Sequence, residues 1–398
     1  MIRPLALLLL LLSQERPEVW RLEPAEFNRR RAALAEKLPD GAAALDAGPL
    51  AKLPGDDANT PIFDFRYLTG VHDDAGLLVL LDGKLSVFVS KEANIPDAEV
   101  LPVKRFPAWA AERLAGKTVY TKLRQANLDL LRASAPGARI VGSTLGPALT
   151  RLRLIKSEAE IRLIRKASDA TNKAHLAVMR ATRPGINERE LDRLLRGVFT
   201  KEGCDDIGFP PIVASGMNGT ILHYFDNEKE LPADTLMVVD IGASLLNYVT
   251  DITRTLPTSG RYSETQRKHY ECVLDAQKAA EAVLKPGATF WDLERAARKV
   301  FEERGLTKWS YAHSRDGGVR HGLGHYVGLA VHDSGTYREK FAPGMVITIE
   351  PGWYDKDAGY GIRIEDIYLI TADGFERLSA AAPREIAEIE KAMREKDF

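Results

Sequence analysis

A helical alternation of apolar and polar positions runs through the stretch that follows Ser157, EAEIRLIRKASDATNKAHLAVMRAT. Its apolar residues recur every three or four positions, which is typical of a helix that buries one face. Ser157 and Glu160 have the spacing of a capping box, in which two side chains satisfy free N–H groups at a helix N-terminus. We therefore predict a long amphipathic helix that begins at this pair.

The preceding region, residues 24–150, alternates shorter strand-like and helix-like pieces. The predicted pieces are a β-hairpin turning at Asp82-Gly83 in GLLVLLDGKLSVFVS (76–90), a helix ending at Gly116 in FPAWAAERLAG (106–116) and a buried strand in ARIVGS (138–143). This mixture predicts an α/β domain over residues 23–152 that has no evident chemistry of its own.

The chain repeats itself at an offset of 102 residues. RPGINERELDRLLRGVFTKEG (183–203) aligns with KPGATFWDLERAARKVFEERG (285–305) with eight identities in 21 positions. The same offset places His223 on His325 and Tyr224 on Tyr326. We predict two copies of one unit, related by a pseudo-twofold axis, within residues 153–398.

Each copy then supplies two carboxylates from successive strands. A first strand ends at Asp240 in TLMVVD or at Glu350 in GMVITIE, and a second strand holds Asp251 in YVTDITRT or Glu365 in GIRIEDIYLIT. Any one of these residues alone has an ordinary structural explanation, but their joint order does not. The pattern predicts that all four carboxylates meet on the pseudo-twofold axis.

The spacing of the first pair has an electrostatic consequence. Asp240 and Asp251 are eleven residues apart, so a tight hairpin between them would turn between Leu245 and Leu246. The two aspartates would then lie directly opposite each other, with Cβ atoms ~5 Å apart. Buried carboxylates this close repel each other, and one must protonate unless a cation lies between them.

A cation site is also indicated by the second pair and by the histidines. Arg363 precedes Glu365 by two residues, so both side chains lie on one face of a strand. His321, His325 and His332 lie within twelve residues of a chain with only eight histidines. Four carboxylates and a histidine form an oxygen-rich site that suits Mn²⁺, Co²⁺ or Zn²⁺, with room for two ions.

The composition narrows the function classes. The formal net charge is −1 and no long basic run is present, which argues against nucleic-acid binding. Cys204 and Cys272 are too few for a disulfide framework or a cysteine-based zinc site.

The first residues, MIRPLALLLLLLSQ, fit the charged and apolar parts of a signal peptide. We assign residues 1–22 to a signal peptide or N-terminal apolar segment and expect export to the periplasm or exterior, with a cytoplasmic or membrane-tethered protein as the alternative.

The combined motifs resemble the pita-bread metallopeptidases, family M24, which include aminopeptidase P, prolidase and methionine aminopeptidase. The matching segments are ILHY (221–224), DIGASLLNYVTDITRT (240–255), HGLGHYVGLAVHD (321–333), ITIEPG (347–352) and GIRIED (361–366). FRYLTG (65–70) resembles a segment of the N-terminal domain in the aminopeptidase P and prolidase branch, a domain that methionine aminopeptidases usually lack. The resemblance implies an α/β (α+β) chain, with a creatinase-like N-terminal α/β domain before a pseudo-twofold pita-bread catalytic domain.

The resemblance also implies roles for individual residues. The implied metal ligands are Asp240, Asp251, His325, Glu350 and Glu365, with Asp251 and Glu365 bridging two divalent ions, Mn²⁺ first and Co²⁺ or Zn²⁺ as alternatives. The implied substrate-binding or proton-moving residues are His223, Tyr224, His321 and His332. Glu350 would also act as general base, and Arg363 would brace the carboxylates or meet the substrate. Ala330 departs from the family, which usually has aspartate there, so the local support of His332 is an open question.

The resemblance implies a Xaa-Pro aminopeptidase, which removes the N-terminal residue from peptides with proline in second position. The main alternative is a prolidase, which applies the same chemistry to dipeptides only. A non-catalytic binding module on the same fold is disfavoured because all five implied ligands are present. Peptide substrates and a homodimer or higher homo-oligomer are expected.

Overall fold

The computed structural model describes residues 21–47, 61–71, 76–313 and 320–395. The predicted signal segment lies outside these residues, apart from its last two positions. Within the described ranges, no helix combines the length and apolarity that crossing a membrane requires.

The first part of the chain forms a six-stranded mixed sheet with helices packed on it. Its elements are α1 (Pro24–Lys37), β1 (Ala42–Asp46), α2 (Pro61–Thr69), β2 (Leu77–Leu81), β3 (Lys84–Val89), β4 (Ala98–Pro102), α3 (Phe106–Arg113), β5 (Thr118–Lys122), α4 (Gln125–Ser134), β6 (Arg139–Val141) and α5 (Leu145–Leu154). The strand order is β4-β3-β2-β1-β5-β6. Phe88 packs edge-on against Phe106 and Trp109 of α3, with ring centroids 5.1 and 5.4 Å apart, so this helix covers one face of the sheet.

The predicted hairpin is confirmed, and a helix begins at Phe106 as predicted but ends at Arg113, three residues before Gly116. β2 and β3 pair in antiparallel fashion around Asp82 and Gly83, whose φ angles of 51° and 74° define the turn. The strand predicted as buried is β6, which lies at the edge of the sheet with Arg139 exposed and Ile140 only partly buried. The prediction of burial was wrong because one flank of an edge strand has no neighbour to cover it.

The second part of the chain contains small antiparallel sheets and two long helix pairs. Its elements are α6 (Glu158–Ala181), α7 (Glu188–Lys201), β7 (Asp206–Ile207), β8 (Ile212–Ser215), β9 (Leu236–Ile241), β10 (Ala243–Leu245), β11 (Tyr248–Val249), β12 (Ile252–Pro257), α8 (Glu264–Val283), α9 (Phe290–Glu303), β13 (Val346–Ile349), β14 (Gly352–Asp355), β15 (Tyr360–Arg363), β16 (Asp366–Ile370), β17 (Phe375–Arg377) and α10 (Ile386–Arg394). Short 3₁₀ turns at 103–105, 216–220 and 307–309 complete the described elements. The sheets are β12-β9-β8, β11-β10-β7, β13-β16-β17 and β14-β15.

The internal repeat is visible in the helices. α7 and α9 each span 14 residues and begin and end at positions 102 apart. Both are preceded by a glycine with positive φ, at 80° for Gly185 and 89° for Gly287, and both begin with a capping box. The predicted capping box of Ser157 and Glu160 is also present at the start of α6. Local capping and turn chemistry therefore fixes the ends of the repeated helices.

The hairpin between the two aspartates turns one residue later than predicted. Its turn is Leu246-Asn247, with φ angles of 51° and 66°, so Asp240 pairs with Thr253 rather than with Asp251. A two-residue turn with both φ angles positive matches the twist of the strands. Asp251 consequently lies diagonally across from Asp240, and the directly opposed arrangement was wrong.

A sharp backbone approach at Gly242 places Asp251 beside the end of β9. A Cβ atom at Gly242 would lie 1.8 Å from the carbonyl oxygen of Thr250 and 2.8 Å from a ring carbon of Phe209. No L-residue with a side chain fits there without a backbone shift.

We expect Gly242→Ala to lower the free energy of unfolding by roughly 2–4 kcal/mol, because the added methyl group meets backbone that must move. Denaturant unfolding measures the change. Gly197→Ala is the matched control, since a Cβ there meets nothing within 4 Å and its position in α7 favours alanine by up to ~1 kcal/mol. Equal stabilities of the two variants would contradict the steric account.

Candidate metal centre

The four predicted carboxylates lie at corresponding places in the two halves. Asp240 is in β9 and Asp251 immediately precedes β12, whereas Glu350 follows β13 and Glu365 lies between β15 and β16. The two halves join at a backbone bridge, where the Glu365 N–H donates to the Thr253 carbonyl at 3.0 Å and the Thr253 N–H donates to the Glu365 carbonyl at 3.3 Å. The segment GIRIEDIYLIT, predicted as one strand, is therefore split at Glu365 between two sheets.

Nine of the ten predicted site residues line one cavity of about 340 Å³. They are His223, Asp240, Asp251, His321, His325, His332, Glu350, Arg363 and Glu365. Sequence reasoning did not identify Arg320 and Tyr337, which line the same cavity. Arg320 directly precedes the first histidine of its motif, and that adjacency was the only available signal.

His325 lies at the centre of the carboxylates. Its Nε2 is 3.3 Å from Asp251 Oδ2, 3.6 Å from Glu350 Oε1 and 3.7 Å from Glu365 Oε1. Its Nδ1 is 3.2 Å from the Tyr326 carbonyl oxygen, which can only accept a hydrogen bond. The proton is therefore held on Nδ1, and the Nε2 lone pair faces the carboxylates, as a metal-ligating histidine requires.

Three carboxylate oxygens in this cluster are buried with no hydrogen-bond partner among the described residues. They are Oδ1 of Asp240, Oδ1 of Asp251 and Oε1 of Glu365. Buried polar atoms are nearly always paired, so each such oxygen calls for a missing partner. Ligand atoms of Asp251, His325 and Glu365 lie within 4.8 Å of one another. These residues fit divalent cations that take oxygen ligands and one imidazole.

The electrostatics of the cluster also favour a cation. Burial, reinforced by the charges of Glu365 and Asp240, raises the pKa of Asp251 well above its usual range. Burial and the charge of Glu365 do the same to the pKa of Glu350. Burial would also raise the pKa of Glu365, but the combined influence of His325, Arg363 and the Thr253 hydroxyl outweighs burial and leaves that pKa lowered. Bound positive charge would relieve this mutual repulsion.

Arg363 supports the carboxylates directly. Its Nη2 donates to Asp240 Oδ2 at 2.6 Å, and its Nε donates to Thr253 Oγ1 at 3.3 Å. The Thr253 hydroxyl in turn donates to Glu365 Oε2 at 2.7 Å. Of the two roles predicted for Arg363, this position corresponds to bracing the carboxylates.

The three remaining histidines occupy different environments. His321 Nε2 lies 2.8 Å from the Tyr354 hydroxyl, and burial together with the charge of Arg363 lowers the pKa of His321 to about 3, so its ring is neutral near pH 7. His332 is exposed and its ring packs edge-on against His325, with centroids 4.4 Å apart. His223 is exposed and stacks on Phe225 at 5.7 Å.

Tyr224 does not line the cavity, contrary to the prediction. It is only 7% exposed, and its hydroxyl donates to Glu188 Oε2 at 2.9 Å. The repeat explains the position: the counterparts of Tyr224 and Glu188 are Tyr326 and Phe290, whose rings also touch, with centroids 5.3 Å apart. Tyr224 thus packs against Glu188 within its own half and is not among the residues that line the cavity.

The segment that carries His332 is fixed by ion pairs to the first part of the chain. These contacts supply the local support of His332 that the alanine at position 330 left open. Asp333 accepts from Arg153 and lies 3.4 Å from Lys156 Nζ. The other arm of Arg153 donates to Asp64 Oδ1 in α2 at 2.8 Å. A buried ionic network therefore fixes the backbone next to His332.

A buried histidine behind the site makes stability depend on pH. Nε2 of His175 lies 2.9 Å from the Ile252 carbonyl oxygen, and burial followed by the charge of Arg254 lowers the pKa of His175 to about 3. Since the unfolded chain binds this proton near pH 6.5 and the folded chain does not, stability is complete above pH 6.5 and is lost as pH falls toward 3.

We expect the free energy of unfolding of the parent chain to fall by roughly 2–3 kcal/mol more than that of His175→Gln between pH 7 and pH 4.5. The glutamine amide can still donate to the Ile252 carbonyl but does not titrate. Denaturant unfolding at the two pH values measures the difference, in which the contributions of other groups cancel. An identical pH dependence in both proteins would contradict the assignment.

Comparisons with known proteins agree with this geometry. The sequence profile of metallopeptidase family M24 matches residues 162–372, more than half of the chain. The Xaa-Pro aminopeptidase of Haemophilus influenzae is 33% identical, over 94% of this chain and 98% of that protein. The Xaa-Pro aminopeptidase of Escherichia coli K12 is 30% identical, over 92% and 97%.

Solved structures extend the likeness to the fold. A glutamate-to-alanine variant of Escherichia coli aminopeptidase P in complex with substrate superposes with a TM-score of 0.81 at 28% identity, covering 94% of this chain and 99% of that one. The zinc-substituted form of that enzyme in complex with product gives a TM-score of 0.82 over the same shares at 28% identity. The fold, the converging carboxylates and these relatives lead to one conclusion: the chain belongs to metallopeptidase family M24, in its aminopeptidase P branch.

Proposed function

We propose that this chain is a Xaa-Pro aminopeptidase that hydrolyses the bond between an N-terminal residue and a following proline. The main support is the single cavity in which both halves of the chain bring together four carboxylates and His325. Relatives named Xaa-Pro aminopeptidase match over nearly their whole length, including the N-terminal part. This coverage supports the branch that carries an N-terminal domain.

Two divalent ions would be held by five residues, and Mn²⁺ is the first choice, with Co²⁺ or Zn²⁺ as alternatives. The five residues are Asp240, Asp251, His325, Glu350 and Glu365. When bound, such a pair supplies positive charge and lowers the pKa of water toward neutrality. The oxygen-rich donor set supports the choice of Mn²⁺, because carboxylates suit harder ions than thiolates do.

The side chains around this centre have separate roles in proton transfer, oxyanion stabilisation and substrate binding. Glu350 takes up the proton of the attacking water, because its carboxylate lines the cavity and lies 3.6 Å from His325 Nε2. His332, at the cavity surface, donates to the oxyanion that develops on the peptide carbonyl. We assign His321, whose Nε2 lies 2.8 Å from the Tyr354 hydroxyl, to hydrogen bonding with the substrate, and we assign His223 to passing a proton to the leaving group.

The alternative of a prolidase is tested with two substrates. The metal-loaded chain is given the dipeptide Ala-Pro and the tripeptide Ala-Pro-Ala, and released alanine is measured. Cleavage of the tripeptide at equal or greater kcat/KM is the expected result. Cleavage of the dipeptide alone would replace the proposal with a prolidase.

We expect a homodimer or larger homo-oligomer, which light scattering of the purified chain would measure. We also expect export, directed by the apolar residues near the N-terminus. N-terminal sequencing of the protein recovered from the native cell would test this, and an intact first segment in a cytoplasmic fraction would contradict it.

A further inference from the structure

Arg320 is a positive group of the cavity to which the hydrolytic chemistry gives no role. It lines the same cavity as His321, Glu350 and the other ligand carboxylates. The second arginine of the cavity, Arg363, is committed to Asp240 at 2.6 Å. Among the described residues, no carboxylate forms an ion pair with Arg320, and its buried Nε has no hydrogen-bond partner.

The guanidinium of Arg320 is held in place by its surroundings. Its Cζ lies 5.4 Å from the centre of the Tyr354 ring and 5.9 Å from that of Trp309. Its backbone N–H donates to the Tyr311 carbonyl at 3.1 Å. Aromatic faces attract a guanidinium but leave its N–H groups unused. An arginine held in this way still has its donor edge for a ligand.

Arg320 lies in the same cavity as the metal-ligand carboxylates, and this position indicates which part of a substrate its guanidinium would bind. The hydroxyl of Tyr354, whose ring lies beside Arg320, is hydrogen-bonded to His321 Nε2 at 2.8 Å. His321 Nδ1 in turn is 3.7 Å from Glu350 Oε2, so these contacts connect Arg320 to the carboxylate cluster. A peptide whose positive amino terminus lies among the carboxylates presents a negative carboxylate at its other end. A cavity of about 340 Å³ is in the size range of small-ligand sites, so it accommodates a few peptide residues.

Resting on the proposed function, we propose that Arg320 binds the free C-terminal carboxylate of short Xaa-Pro peptides and so makes them the preferred substrates. Guanidinium and carboxylate match as a two-point hydrogen-bonded pair. Long peptides, which place an uncharged peptide group at this point, gain nothing from Arg320. The residue is thus a determinant of substrate length.

The test compares Ala-Pro-Ala with its C-terminal amide, Ala-Pro-Ala-NH₂, on the metal-loaded full chain. We expect the parent chain to favour the free acid by roughly 10- to 100-fold in kcat/KM, mainly through KM, which is the usual value of a hydrogen bond to a charged group. Arg320→Met is expected to bring the two substrates within about 3-fold of each other, and Arg320→Lys to give an intermediate ratio.

The matched control is Arg338→Met, which removes an exposed arginine that does not line the cavity. This variant should keep the preference of the parent chain. Equal cleavage of acid and amide by the parent chain, or an undiminished preference in Arg320→Met, would overturn the role of Arg320 while leaving the aminopeptidase in place. Failure of the metal-loaded parent chain to cut either peptide would overturn the proposed function and this inference with it.

Discussion

Asp251→Asn is expected to lower kcat/KM for Ala-Pro-Ala by roughly 10³-fold or more, because it removes a charged ligand from the centre of the cluster. Asp251 Oδ2 lies 3.3 Å from His325 Nε2, and its Oδ1 is buried without a partner among the described residues. Asparagine keeps the shape of the side chain but loses its charge. The metal content of the purified variant should fall together with activity.

The same substitution should make the metal-free chain more stable. Burial and the charges of Glu365 and Asp240 raise the pKa of Asp251, so its ionised form is unfavourable in the folded chain, and a neutral amide removes that cost. We expect a higher Tm than that of the metal-stripped parent chain. Asp357→Asn, at an exposed carboxylate 3.6 Å from Lys308, is the control and should change neither property. Full activity and unchanged metal content in Asp251→Asn would refute the ligand assignment.

Glu350→Gln is expected to reduce kcat by roughly 10³-fold with a much smaller change in KM. Glutamine has nearly the shape of glutamate and keeps one oxygen, but it cannot take up a proton. Glu350 Oε1 lies 3.6 Å from His325 Nε2, and Oε2 lies 3.7 Å from His321 Nδ1. The carboxylate therefore lies between the implied ligand His325 and the implied substrate-binding residue His321. Steady-state kinetics at several pH values measure both parameters.

His321→Gln separates this role of Glu350 from a general disturbance of the cavity. Since His321 is expected to act as a neutral hydrogen-bonding wall, its loss should raise KM more than it lowers kcat. Glu350→Gln should show the opposite division. If Glu350→Gln retained the kcat of the parent chain, the proton acceptor would have to be another group.

The features predicted from the sequence are those governed by local chemistry. The capping box at Ser157 and the glycines that flank α7 and α9 act within a few residues of themselves, so the pattern was sufficient to place those helix ends. Convergence of the four carboxylates followed from the repeat, because two copies of one unit place equivalent strands around a shared axis.

The features that sequence reasoning missed depend on contacts between distant residues. The turn falls at Leu246-Asn247 because the Leu246 N–H donates to Asp205 Oδ2 at 2.6 Å and Asn247 Oδ1 accepts from Arg66 at 2.6 Å. Leucine at positive φ is rare, so the local pattern pointed elsewhere. Tyr224 was likewise misplaced, because its partner Glu188 is 36 residues away.

The central claim, that this family M24 chain is a metal-dependent Xaa-Pro aminopeptidase, is tested most directly by coupling metal content to cleavage. The chain is stripped with a chelator, Mn²⁺ is added back in steps, and bound metal and release of alanine from Ala-Pro-Ala are measured on the same samples. We predict that cleavage disappears on stripping and returns as bound Mn²⁺ approaches two ions per chain. Cleavage that continues undiminished in the stripped chain, or an absence of metal binding, would contradict the account.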